Sequence, residues 1–233
     1  MPLTRFAAIC AFTALISPVQ LLAQQTPAPR ILAIGDSLMA WHTMTGQSIA
    51  DVVGRELGEA TVNRSIGGAR MIFRIPAMAE MGMRISSQYT EGDWDWVIVN
   101  GGGNDLWFGC GCKACEAKLD KLISSKAAGE GAIPETLDEV LESGAKVIYV
   151  GYMRSPGFDS VIDECRDEGD ELERRIEDYL GEVPDAYFLS LKTLVPMGDK
   201  SYHALDRVHP SLKASREIGQ RVADLIRLID PDR

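Results

Sequence analysis

Apolar residues follow two rhythms along this chain. Short unbroken runs, Ile31–Ile34, Trp96–Val99, Lys146–Val150 and Ala186–Leu189, stop at glycine or polar turn residues, and residues 60–63 form a weaker run of the same kind. Runs of this length, without polar alternation, suit strands of a parallel sheet buried on both faces. Between them the spacing changes to three and four. Ile49, Val52, Val53 and Leu57 share a face ahead of Gly58; Leu172, Ile176 and Leu180 repeat ahead of Gly181. Pro134 opens a segment carrying Leu137, Val140 and Leu141, and Gly144 closes it; Ile218, Val222, Leu225, Ile226 and Ile229 form a final stripe. These spacings and stops predict amphipathic helices. Strand–helix alternation predicts an α/β domain: a three-layer α/β/α sandwich with a parallel sheet of about five strands and right-handed crossovers.

The first residues break the pattern. Arg5 is the only charge before Arg30, and the stretch from Phe6 to Leu22 is apolar apart from a few polar residues and Pro18. It is short for a membrane span. With small Ala23 at its end, it reads as a signal peptide over residues 1–23, followed by a linker (24–29) and one domain (30–233). Export to the periplasm or medium is expected, with no stable membrane span after removal of the leader. Cys10, preceded by bulky Ile9 and close to the start, does not read as a lipid-attachment site. The remainder fits one globular domain: of 233 residues, 45% are hydrophobic and 25% charged. A net charge of −10 makes nucleic acid or an anionic membrane face a poor partner.

Residues able to do chemistry sit just after the strand-like runs. In a parallel sheet those exits share the carboxyl edge, where open α/β folds bind ligands. Gly35-Asp36-Ser37-Leu38 follows the first run. Ser37 there can act as a nucleophile and offer its own N–H to an oxyanion, or Asp36 and Ser37 can simply cap a helix. Asp206-Arg207-Val208-His209-Pro210 follows the fifth run. A serine hydroxyl needs a base, and the base needs a carboxylate to fix its tautomer; His209 and Asp206 fit those needs. His42 and His203 are the only other histidines, so the choice of base is narrow, and His203 is the rival. Gly102-Gly103-Asn104-Asp105 follows the third run, and the Asn104 amide can donate to an oxyanion, though the stretch also reads as a glycine-rich turn. Leu106 stands where a dinucleotide fingerprint requires glycine, which argues against a nucleotide loop.

Gly35-Asp36-Ser37-Leu38, Asn63-x-x-x-x-Gly68, Gly102-x-Asn104-Asp105 and Asp206-x-x-His209, in this order and spread over nearly the whole domain, resemble the SGNH (GDSL-type) hydrolase family. The resemblance implies a flavodoxin-like sandwich. It also implies a catalytic triad of Ser37, Asp206 and His209, and an oxyanion hole of Ser37 N–H, Gly68 N–H and Asn104; Gly67 leaves the glycine assignment open by one residue. The expected activity is hydrolysis of carboxylic esters of small or lipid-like acyl groups through an acyl-enzyme, with no cofactor and no metal. Carbohydrate O-deacetylation is the alternative enzyme reading, and a non-catalytic binding protein on a hydrolase fold is the alternative from another class.

Cys110, Cys112, Cys115 and Cys165 remain once the leader is removed. In an exported chain an even number predicts two disulfides, with a four-thiolate zinc site as the rival. One bridge is expected within 110–115 and one reaching Cys165 from Cys110 or Cys112, because a bridge between Cys110 and Cys112 closes a strained ring. Met39, Trp41, Trp107 and Phe108 flank the motifs and are candidates for an acyl pocket; the methionines between Met71 and Met83 read as core or pocket. Arg70, Arg74 and Arg154 are candidates for meeting an anionic substrate, or else solvated.

Overall fold

The computed structural model describes residues 28–127, 129–157 and 160–233. The proposed signal peptide and most of the linker lie outside the described residues.

Five strands, β1 (Ile31–Ile34), β2 (Thr61–Asn63), β3 (Trp96–Val99), β4 (Lys146–Val150) and β5 (Ala186–Leu189), form one parallel sheet in the order β2-β1-β3-β4-β5. The α/β sandwich expected from the apolar runs is the fold observed. Only the weakest run moves: pairing with β1 begins at Thr61. Alternate residues of the strands face two cores. Leu32, Ile34, Val97, Val99, Val147 and Tyr149 face one side; Ile31, Ala33, Trp96, Ile98, Ile148 and Val150 face the other. Burial on both faces is why these strands carry no polar alternation.

The first core is covered by α4 (Gly103–Cys110), α5 (Glu116–Leu122), α6 (Ala132–Leu141) and α7 (Arg166–Leu180), the second by α1 (Ser37–Ala40), α2 (Ile49–Leu57) and α8 (Leu212–Ile229). Helix α2 starts in a capping box between Ser48 and Asp51 and stops at Gly58 in the left-handed region. It crosses α8 closely: a Cβ on Gly219 would lie 2.5 Å from Val52 Cβ, so only glycine fits there. Each fully buried aliphatic on the α8 stripe (Ile218, Val222, Ile226) contributes about 1.5–3 kcal/mol by leaving water.

Two local expectations change, and one stretch carried none. Helix α6 begins at Ala132 rather than Pro134, which sits in the first turn, where a missing N–H costs nothing. The glycine-rich stretch after β3 is not a free turn. Gly102, at φ 91°, caps α4, so Asn104 and Asp105 occupy that helix's first turn. Residues 76–88 wind as short helical turns, α3 (Pro76–Met78) and two irregular turns after it, which no periodicity announced.

In this strand order the chain steps from β1 out to β2 and then returns to the other side of β1 as β3. The crevice of such a sheet opens where the order reverses, at the carboxyl ends of β1 and β3. Ser37 follows β1 and Asn104 follows β3.

Candidate active site

One cavity of about 390 Å³ occupies that crevice, and Ser37, Gly67, Gly68, Asn104 and His209 all line it. Its size is in the range of small-ligand pockets. Residues 172 positions apart in sequence thus meet because each stands at a strand exit.

Asp36, only 2% exposed, caps α1: its Oδ1 accepts from Leu38 N at 2.9 Å. Ser37 is therefore the first residue of a helix, with its N–H at the positive end. The capping role and the presentation of Ser37 coexist, divided between the two neighbours. No hydrogen bond within the described residues occupies the N–H of Ser37 or of Gly68. Gly68 has φ 80°, a left-handed conformation suited to glycine, while a Cβ on Gly67 would lie 4.0 Å from Ser37 Cβ. Asn63, the first residue of that motif, is a brace: its Nδ2 donates to Met39 O (2.9 Å) and Thr43 Oγ1 (3.1 Å), tying β2 to α1.

His209 Nδ1 lies 2.6 Å from Asp206 Oδ2, and Asp206 Oδ1 accepts from the N–H groups of Val208 and His209 at 3.0 Å each. Burial opposes the Asp206 charge, but those three donors outweigh it and hold the carboxylate below its ordinary range. A carboxylate at Nδ1 favours the tautomer that carries its proton there and leaves Nε2 as the acceptor. Trp41 stacks flat on the imidazole, centroids 3.8 Å apart at 3°. The loop is anchored from outside by His42 Nε2 at 3.1 Å from Pro210 O, and by Ser160 Oγ donating to Arg207 O at 2.8 Å. No hydrogen bond joins Ser37 to His209 among the described residues.

Asn104 is 9% exposed, and its Nδ2 donates to Ala69 O at 3.0 Å, with Asp36 Oδ2 at 3.5 Å. Asp105 beside it accepts from Met71 N (2.8 Å) and Ile72 N (2.9 Å), fixing the segment after Gly68. Burial pushes Asp105 up to about 6, against those two donors.

Trp41, Trp107 and Phe108 line the cavity as expected, joined by Leu106, Ile162 and Leu172. Met39 is core, not pocket. The methionines from 71 to 83 are not cavity residues either: Met71 is buried, Met78 and Met81 are exposed. Arg154 is neither solvated nor free for an anion. It spans Asp170 Oδ1 (2.6 Å), Glu173 Oε1 (2.8 Å) and Tyr152 O (2.7 Å). Arg70 lies between the Phe73 and Phe108 rings, and Arg74 is exposed.

Cys110 is bonded to Cys115, and Cys112 to Cys165, with Cα separations of 5.4 and 4.7 Å. Of the alternatives left open, Cys112 is the partner of Cys165, because it lies opposite the N-terminus of α7. With all four thiols paired, no cluster of His, Cys, Asp or Glu among the described residues is arranged for a metal. Cys165 lines the cavity, so this bridge forms part of its wall. Sequence reasoning read Asp36 only as a helix cap and did not single out Tyr152; both line the cavity, and their contact joins two strand exits that no spacing links.

Among solved structures, a carbohydrate esterase family 2 enzyme with its carbohydrate-binding domain, from Corynascus thermopiles (Myceliophthora fergusii), superposes with a TM-score of 0.59 at 15% identity, covering 88% of this chain and 67% of that one. The lipase Lip_vut3 from a goat rumen metagenome gives 0.58 at 17% identity (84% and 97% covered). A carbohydrate acetylesterase family member from Sinorhizobium meliloti gives 0.52 at 14% (86% and 98%). A comparison with curated proteins gave no significant match. At these identities the structures speak for the fold, but the family model for GDSL-like lipases and acylhydrolases matches residues 33–216, nearly the whole described domain and all four motifs, and the chain belongs to that family of hydrolases.

Proposed function

We propose that this protein is a serine esterase that cleaves carboxylic esters through an acyl-enzyme on Ser37. The observation that carries this reading is the convergence of Ser37, Gly68, Asn104 and the Asp206-paired His209 on one cavity. His209 Nε2 takes the hydroxyl proton as Ser37 Oγ attacks the ester carbonyl. The oxyanion is met by the N–H groups of Ser37 and Gly68 and by Asn104 Nδ2, donors of the kind that stabilise such a charge. Asp206 stabilises the imidazolium, and the stacked Trp41 face adds cation–π attraction. The proton passes from His209 to the leaving alkoxide. Water then attacks the acyl-enzyme, returning its proton through His209 to Ser37.

The acyl side is apolar. Leu106, Trp107, Phe108, Ile162 and Leu172 favour a hydrocarbon chain over a sugar hydroxyl array. Carbohydrate O-deacetylation is the second reading, supported by the fold similarity to two carbohydrate esterases. An acyl p-nitrophenyl ester series run against acetylated glycans separates the two. Ser37→Ala is expected to abolish hydrolysis and fluorophosphonate labelling while leaving the fold intact. Substantial labelling of the variant would place the nucleophile elsewhere. The leader-like residues 1–23 and the two disulfides support export, which we propose as the protein's fate.

A further inference from the structure

Asn104 has two amide hydrogens, and the site makes rival demands on them. One is donated to Ala69 O at 3.0 Å. Asp36 Oδ2 lies 3.5 Å from the same nitrogen, at the outer limit of a hydrogen bond, and competes for the other. A buried carboxylate is a strong acceptor, and an unsatisfied one would draw the amide in and take it from any substrate oxygen. Something must already satisfy that oxygen. Tyr152, two residues past the end of β4, does so: its hydroxyl donates to Asp36 Oδ2 at 2.5 Å. The same hydroxyl accepts from Gly103 N at 3.0 Å, so it also grips the residue before Asn104.

The placement of Tyr152 is fixed on every side. Its backbone N–H donates to Glu173 Oε1 (2.7 Å), and its carbonyl accepts from Arg154 Nη1 (2.7 Å). The ring packs directly on Gly103, where a Cβ would come within 2.8 Å of Cζ. Burial, and then the nearby Asp36 charge, push the phenol well above the ordinary tyrosine range, so it stays a donor. Burial likewise raises Asp36, countered by Tyr152, the Leu38 N–H and His209.

We propose that Tyr152 is a positioning residue for the oxyanion hole: by occupying Asp36 Oδ2 and holding Gly103, it leaves the second N–H of Asn104 free for the substrate oxygen. This rests on the serine-esterase reading above. Tyr152 does not touch the reacting atoms; it acts through Asp36 and Asn104.

The test is a double-mutant cycle between Tyr152→Phe and Asn104→Ala, with kcat and KM measured on a short p-nitrophenyl ester. Loss of one oxyanion donor costs about 10²–10³ in kcat. Tyr152→Phe, which misplaces that donor rather than deleting it, is expected to lower kcat by about 10–50-fold with KM within about 2-fold. In the Asn104→Ala background it is expected to cost less than about 2-fold, because the group it serves is already gone. Equal losses in both backgrounds, an unchanged kcat, or an effect confined to KM would each overturn the proposal. Gly103→Ala, whose methyl lifts the ring off Asp36, serves where Tyr152→Phe does not fold; the same kcat loss and the same disappearance of that loss are expected. A wild-type protein that neither hydrolyses the ester nor labels at Ser37 would bring down the esterase reading, and this proposal with it. Wild-type activity with a silent Tyr152→Phe brings down the proposal alone.

Discussion

His203 shows how burial separates residues of the same type. It stands six positions before His209, yet it is 7% exposed and neither ring nitrogen finds a partner. Burial holds its pKa below the ordinary 6.5, against the pull of Asp206 and Asp163. A histidine kept neutral in the fold binds its proton more readily when unfolded. Its contribution to stability is therefore full above pH 6.5 and is lost as pH falls from there towards the depressed folded value. The wild-type melting temperature is expected to fall more steeply below that pH than that of His203→Gln, in parallel scans between pH 7 and roughly 5. Identical slopes would show that His203 is solvated. The same variant should keep ester hydrolysis, since the cavity is lined by His209 and not by His203.

At the scale of elements, the Cys112–Cys165 bridge joins the end of α4 to the start of α7, two segments that otherwise leave neighbouring strands separately. Closing a loop of this length is worth about 4 kcal/mol in lost freedom of the unfolded chain. Its second effect is local, because Cys165 shares the cavity wall with Ile162, Leu106 and Trp107. Cys112→Ser/Cys165→Ser is expected to raise KM for long acyl esters several-fold relative to acetyl ester, at a temperature where both proteins are folded. Cys110→Ser/Cys115→Ser, removing a bridge that spans five positions within one turn region, should shift that preference much less. A chain-length series on both variants decides it, and equal shifts would detach the wall from the bridge. The elements themselves were readable wherever periodicity was strong. Strands β1, β3, β4 and β5 and helix α2 fall where their apolar spacing put them. Helix α4 was not readable, because its first turn is glycine and polar residues whose helical state depends on packing beneath Tyr152 and Leu172.

For the whole molecule, the proposed export and the two disulfides go together: disulfides persist in an oxidising compartment, and the apolar start, read as a leader, would supply a route to one. Protein recovered from an exporting cell is expected to begin at Gln24 and to carry no free thiol, by intact mass before and after alkylation. A retained residue 1–23 segment, or four alkylated cysteines, would refute that. No helix among the described residues is long and apolar enough to cross a membrane. By itself the sequence determined the layers, the strand exits and the residue types standing at them, because burial imposes a period and turns impose glycine and capping residues. Ser37, Asn104 and His209 stood out as candidates only through the ordered set of motifs that resembles the family, before any contact was known. The tertiary structure alone decided which side chains serve those three. Asp36 turns its second oxygen to Tyr152, Trp41 turns its face to His209, and Cys165 takes Cys112. Each of these choices is a distance between residues brought together by separate strands, and distances across a sheet edge leave no period in the chain.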